Sequence, residues 1–189
     1  MTTNNQQDQT RSSVRKILDV FGIIILIIVL GYYGNKTVQT YLGQQAVNET
    51  GLELLTLEQA LEVAKRDNKL VLANMSAIWC PACRKLDKQV FSNERVKTKM
   101  NQHFVYAHIE YESQEGKNLM QRYQVTGFPT LLVLSAYGEK LVQLPINYEP
   151  SPFLVTLEKV VKAKRRKGEK AKRRIAARKF SVNGSIEKG

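Results

Sequence analysis

Five residues, Trp79-Cys80-Pro81-Ala82-Cys83, constrain this chain more than any other stretch, because they stand where a strand should run into a helix. Before them Leu70-Val71-Leu72-Ala73-Asn74-Met75 reads as a buried strand, and after them Arg84 to Val90 carries apolar residues at helical spacing. Cys80 therefore falls at a helix N-terminus. Pro81 takes the first helical position, where its missing N–H would have had no partner. Unpaired N–H groups and the helix dipole favour an anion there by roughly 0.3–1 kcal/mol, and the thiolate is the nucleophilic form of cysteine. Cys83, three residues on, shares the helix face of Cys80 and can close a short disulfide with it. The chemistry expected is thiol–disulfide exchange, with Cys80 attacking and Cys83 resolving.

Other uses of two cysteines fit less well. A zinc site takes about four ligands, and His103 and His108 are the only histidines left to add. Haem attachment requires a histidine directly after the second cysteine, where Arg84 stands. Burial as inert core thiols stays open. No metal or other cofactor is expected. With both cysteines in one motif, no pair is left over for a structural disulfide.

The net charge of +12 would suit a nucleic-acid binder. Eleven Lys or Arg and the single acid Glu169 lie between Lys162 and Lys179, however, so +10 of it belongs to one tail. No aromatic residue interleaves with that run before Phe180, which argues against nucleic acid. A solvated tail is the first expectation for such a run, and anionic lipid or an envelope polymer is the next, as a partner for it. The run either extends the preceding helix or leaves it loose, and Gly168 argues for a break.

Residues 1–16 form a polar segment that ends in Arg11, Arg15 and Lys16, and an apolar run from Ile17 to Tyr33 follows. A membrane span takes about 20 residues, while a secretory signal has an apolar core of roughly 7–15. No small-x-small cleavage site follows the run, and Tyr32-Tyr33 suit a membrane interface. Residues 17–34 are therefore read as a retained transmembrane anchor, with a cleaved signal peptide as the alternative. Three cations precede the run and only Lys36 follows closely. The N-terminus is then cytoplasmic, and the chain is a single-pass inner (plasma) membrane protein with a periplasmic or extracytoplasmic domain, outside the reducing cytosol.

Residues 35–51 read as a linker or a continuation of the anchor helix, 52–162 as the domain and 163–189 as the basic tail. Within the domain, Thr56-Leu57-Glu58-Gln59 is a capping box for a helix ending near Asp67-Asn68. Ser92 is the expected cap of a helix through Val96 and Met100, and Phe104 to Ile109 is a second strand. Glu115 to Tyr123 is a helix, Thr130 to Leu134 a third strand, and Lys140 to Leu144 its hairpin partner across Tyr137-Gly138. Ser151 as cap and Pro152 as first residue open an amphipathic last helix.

This order, with Trp79-Cys80-Pro81-Ala82-Cys83 after the first strand and Gly127-Phe128-Pro129-Thr130 before the third, resembles the thioredoxin fold: α/β, a central mixed sheet flanked by helices. The stretch Trp79 to Lys88 followed by Val90 to Val96 is similar to the periplasmic C-terminal domain of the DsbD thiol:disulfide interchange family and to related membrane-anchored thioredoxins. The resemblance implies an enzyme that exchanges protein thiols and disulfides, with an upstream electron donor or acceptor that it does not name. It implies a cis Pro129 beside the cysteines, although from the residues alone a trans proline opening a strand is equally good. Trp79 and Phe128 would rim a substrate groove; ordinary core packing is the alternative. The family's usual buried acid, six residues before the first cysteine, is Asn74 here, and His108 aligns with a buried lysine. An Asn74/His108 pair can still relay a proton through water, or His108 is a satisfied core residue. The family's strong oxidants carry histidine between the cysteines, and Pro81-Ala82 supplies no such charge, so a reductant or intermediate-potential protein is expected. The alternative function is a slow or redox-inactive thioredoxin-fold binding module tethered to the membrane.

Overall fold

The computed structural model describes residues 4–186, with side chains described at 18–170 and 172–174. The Arg11, Arg15 and Lys16 side chains, on which the orientation rests, and the extreme ends of the polar segment and basic tail lie outside that description. In chain order the elements are α1 (Asn4–Thr50), α2 (Leu57–Asp67), β1 (Leu70–Ser76), α3 (Pro81–Leu86) with a π-helical turn after it (Asp87–Phe91), α4 (Glu94–His103), β2 (Phe104–Glu110), α5 (Gln114–Tyr123), β3 (Thr130–Leu134), β4 (Lys140–Leu144) and α6 (Pro150–Ile186).

The strands form one mixed sheet in the order β2-β1-β3-β4, with β1 parallel to β2 and antiparallel to β3, and β4 antiparallel to β3. Strands β1 and β3 are buried on both faces, which is why they read as apolar runs without alternation. Side chains still divide by parity. Leu70, Leu72, Leu131 and Val133 face a layer built from α3, its π turn, α4 and α6, through Leu86, Phe91, Met100 and Phe153. Val71, Ala73, Met75, Leu132 and Leu134 face α2 and α5 through Ala60, Ala64, Leu119 and Tyr123. This is the helix-flanked mixed sheet that the resemblance implied. The capping box at Thr56 and Gln59 closes as expected, and Asn68 ends α2 in the left-handed conformation.

Three local expectations are corrected, and one left open is decided. Residues 35–50 continue α1 as its last turns, because Thr40, Gly43, Ala46, Val47 and Thr50 recur at helical spacing on a face that packs on α3 and the π turn. Upstream, Leu18 to Tyr33 is exposed on every side in a helix long and apolar enough to cross a membrane. Asn93, not Ser92, caps α4, accepting from the Arg95 and Val96 N–H groups, while the Ser92 hydroxyl donates to the Lys88 carbonyl. Helix α6 starts at Pro150 rather than after a Ser151 cap, and it runs through Gly168 instead of breaking there. Lys, Arg and Ala are strong helix formers, and one glycine among them costs only about 1 kcal/mol.

Candidate active site

Cys80 is the N-cap of α3: its backbone is extended, its sulfur accepts a hydrogen bond from the Cys83 N–H at 3.2 Å, and Pro81 opens the helix. The pair is in the dithiol form. Cys80 is 6% exposed and Cys83 2%. Burial first, and then the hydrogen bond with Cys80, pushes the Cys83 thiol up to about 12, while the Ala77 backbone and the Ser76 hydroxyl pull it partly back. The loop before the motif is pinned by Glu110, whose carboxylate accepts the Ile78 N–H at 3.1 Å and is held above its ordinary range chiefly by burial.

Around the sulfurs, Trp79, Tyr111 and Phe128 pack with Ala77, Cys80 and Cys83. Trp79 meets Phe128 edge to face at 5.4 Å, and Tyr111 lies 4.5 Å from Phe128. The Phe128–Pro129 bond is cis, and Pro129 is half-buried next to Thr130, which pairs with Met75 across the sheet. Residues from three separate stretches of the sequence thus meet at one end of β1. A family profile described as a thioredoxin-like domain matches residues 57–161. The chain belongs to the thioredoxin-like family.

Among relatives, this thioredoxin-like chain is 30% identical over 110 residues to the thiol:disulfide interchange protein DsbD of Yersinia enterocolitica, a match covering 58% of this chain and 18% of that protein. It is 25% identical over 111 residues to DsbD of Photorhabdus laumondii, covering 57% and 19%. The chain therefore spans about a fifth of the length of these relatives. Among solved structures, a thioredoxin from Thermus thermophilus superposes with a TM-score of 0.52 at 26% identity, covering 58% of this chain and 87% of that one.

Beneath the thioredoxin-like cysteine pair lies a buried polar layer. Asn74 and His108 are register partners across β1 and β2, on the same face of the sheet. They do not touch directly: Tyr106 stands between them, its hydroxyl accepting from Asn74 Nδ2 at 2.8 Å and lying 3.4 Å from His108 Nδ1. Asn74 is 1% exposed, and among the described residues its Oδ1 has no hydrogen-bond partner. Burial lowers the affinity of His108 for a proton, so its ring is neutral at neutral pH.

The acid missing at position 74 has a counterpart that sequence reading passed over. Asp87 is buried one helical turn beyond Cys83, its N–H donating to the Cys83 carbonyl, and burial pushes its carboxyl up to about 7. The Tyr106 hydroxyl is pushed up by burial first and then by the nearby Asp87 and Cys83 charges, which puts all three groups in one neighbourhood. The signal was available: an acid between Leu86 and Val90, on the inward face of a helix, four residues after a cysteine.

Proposed function

We propose that the chain is a membrane-anchored thiol–disulfide oxidoreductase that reduces or exchanges disulfides of extracytoplasmic proteins through Cys80 and Cys83. The observation that carries this is the Cys83 N–H bonded to the Cys80 sulfur at a helix cap, a geometry that sets the Cys80 sulfur at the N-terminus of α3 and keeps Cys83 within reach of it. In the reducing direction the Cys80 thiolate attacks one sulfur of a substrate disulfide. That S–S bond breaks, a mixed disulfide forms, and the other substrate sulfur leaves and takes up a proton. Cys83 then gives up its proton and attacks the Cys80 sulfur, closing the Cys80–Cys83 disulfide and releasing the second substrate thiol. Two electrons and two protons pass to the substrate, and a dithiol donor resets the pair.

A thiol titrating near 12 needs a base. Asp87, ionised at and above about pH 7, is the acceptor this fold offers, with Tyr106, Asn74 and His108 as the polar layer that receives the charge. Trp79, Phe128 and Pro129 form the substrate rim. The apolar stretch of α1 supports the anchor, with the N-terminus cytoplasmic and the thioredoxin-like domain outside.

Trapping tests the roles. Cys83→Ser should accumulate mixed disulfides on Cys80, and Cys80→Ser should accumulate none, read on non-reducing gels with mass spectrometry of the adducts. Adducts on Cys83 in the Cys80→Ser variant would reverse the roles. A second reading, a slow or inactive binding module, is favoured by the burial of both thiols and by Asn74. It prevails if neither variant traps a partner and the purified protein leaves a model disulfide intact.

A further inference from the structure

The domain does not hang from its anchor; it lies against it. Lys36 Nζ and the Trp79 indole N–H converge on one oxygen of Glu112, each at 3.2 Å, and Lys36 sits 5.9 Å from the centre of the Trp79 ring. One turn further along α1, Gln39 accepts from Arg84 at 2.6 Å. One turn beyond that, Gly43 meets the Ile78 carbonyl so closely that any Cβ there would collide with it. Three successive turns of α1 therefore hold the residues that flank Cys80 on both sides. Between helix and motif lies a cleft of about 300 Å³, lined by Tyr32, Asn35, Lys36, Gln39, Trp79, Pro81 and Glu112.

The position of this cleft selects its occupant. It starts at Tyr32, where the apolar run ends, and reaches Pro81 beside Cys80. From Tyr32 to Gln39 the helix rises about 10 Å, so the α1 side of the cleft lies within about 10 Å of the end of the apolar run. The geometry points to a juxtamembrane binding cleft for the disulfide-bearing segment of a membrane-embedded protein, with Tyr32 and Trp79 as apolar walls and Asn35, Lys36, Gln39 and Glu112 as polar contacts. This rests on the anchored-oxidoreductase reading above. A loop emerging from the bilayer is already at the mouth of that cleft, whereas a water-soluble disulfide has to diffuse to it.

The test uses the full chain, reduced beforehand, in phospholipid nanodiscs with a single-span peptide. The peptide bears the same disulfide loop beyond each end of its apolar run, so its orientation does not matter. In one version the loop follows the apolar run directly, and in the other a flexible spacer of about 20 residues intervenes. The expected result is single-turnover reduction about tenfold faster for the near loop at equal peptide density. Lys36→Glu, which turns an attraction to Glu112 into a repulsion, and Gly43→Leu, which pushes α1 off Ile78, should each bring that ratio close to one. Should Gly43→Leu fail to fold, the exposed Lys36 site keeps the test open. Equal rates for the two loops in the unaltered protein, or a ratio unchanged by Lys36→Glu, would overturn the cleft while soluble disulfides are still reduced. Failure to reduce either peptide or a soluble disulfide would instead remove the oxidoreductase reading, and this proposal with it.

Discussion

Burial holds the Asp87 carboxyl at about 7 against an ordinary 3.8, so between those values the folded protein keeps a proton that the unfolded chain has released. Stability then falls as pH rises through that window and levels off above it. Asp87→Asn is expected to stabilise the protein by on the order of 3–4 kcal/mol at pH 8, an advantage that shrinks to nothing near pH 4, as denaturant titrations at the two pH values would show. If Asp87 takes the Cys83 proton, the same variant slows resolution of a trapped mixed disulfide by about tenfold or more. Asn74→Asp added to Asp87→Asn should restore part of that rate in stopped-flow measurements, since it returns a carboxyl to the layer around Tyr106. The motif cysteines were plain in the sequence because their spacing is local. Asp87 was visible only as an acid on an apolar face, and its burial depends on the sheet and on Tyr106, which lies 19 positions further along the chain.

The helices and strands were largely legible, because their apolar periods and caps are written in contiguous residues: the capping box of α2, the doubly buried β1 and β3, and the β3–β4 hairpin. The shift from α3 into a π turn was not, since a single bulged turn leaves no pattern of its own. One glycine illustrates how packing sets a residue. Gly116 brings the first turn of α5 against the Glu110 and Tyr111 carbonyls, where a Cβ would clash. Gly116→Ala should therefore cost about 1–3 kcal/mol, measured as a lowered denaturation midpoint with the cysteines still reactive. Helix α6 carries a second prediction. Deleting residues 164–189 should leave disulfide reduction intact but weaken salt-sensitive binding to anionic liposomes, because most of the net charge resides there. Equal liposome binding with and without the segment would exclude a lipid role. Lys164 donates to the Asn68 carbonyl at 2.7 Å, so a small loss of stability should accompany the deletion.

Topology decides whether the dithiol meets an oxidising or a reducing compartment. A reporter active only after export, fused after Gly189, is expected to be active; silence of that fusion beside an active cytosolic reporter would invert the assignment. By itself the sequence determined the strand–dithiol–helix unit, the apolar run, the basic tail and the family, since each is a matter of residue type at short spacing. Only the tertiary structure decided that α1 continues past its apolar run and lies along the motif. The contacts that do this join Lys36 to Glu112, 76 positions apart, and Trp79 to the same carboxylate, 33 positions apart. No periodicity reports a pairing over such distances. It arises because Gly43 leaves room for the Ile78 carbonyl, and because the charged and aromatic groups at the end of β2, in the motif and on α1 converge only once the sheet has formed.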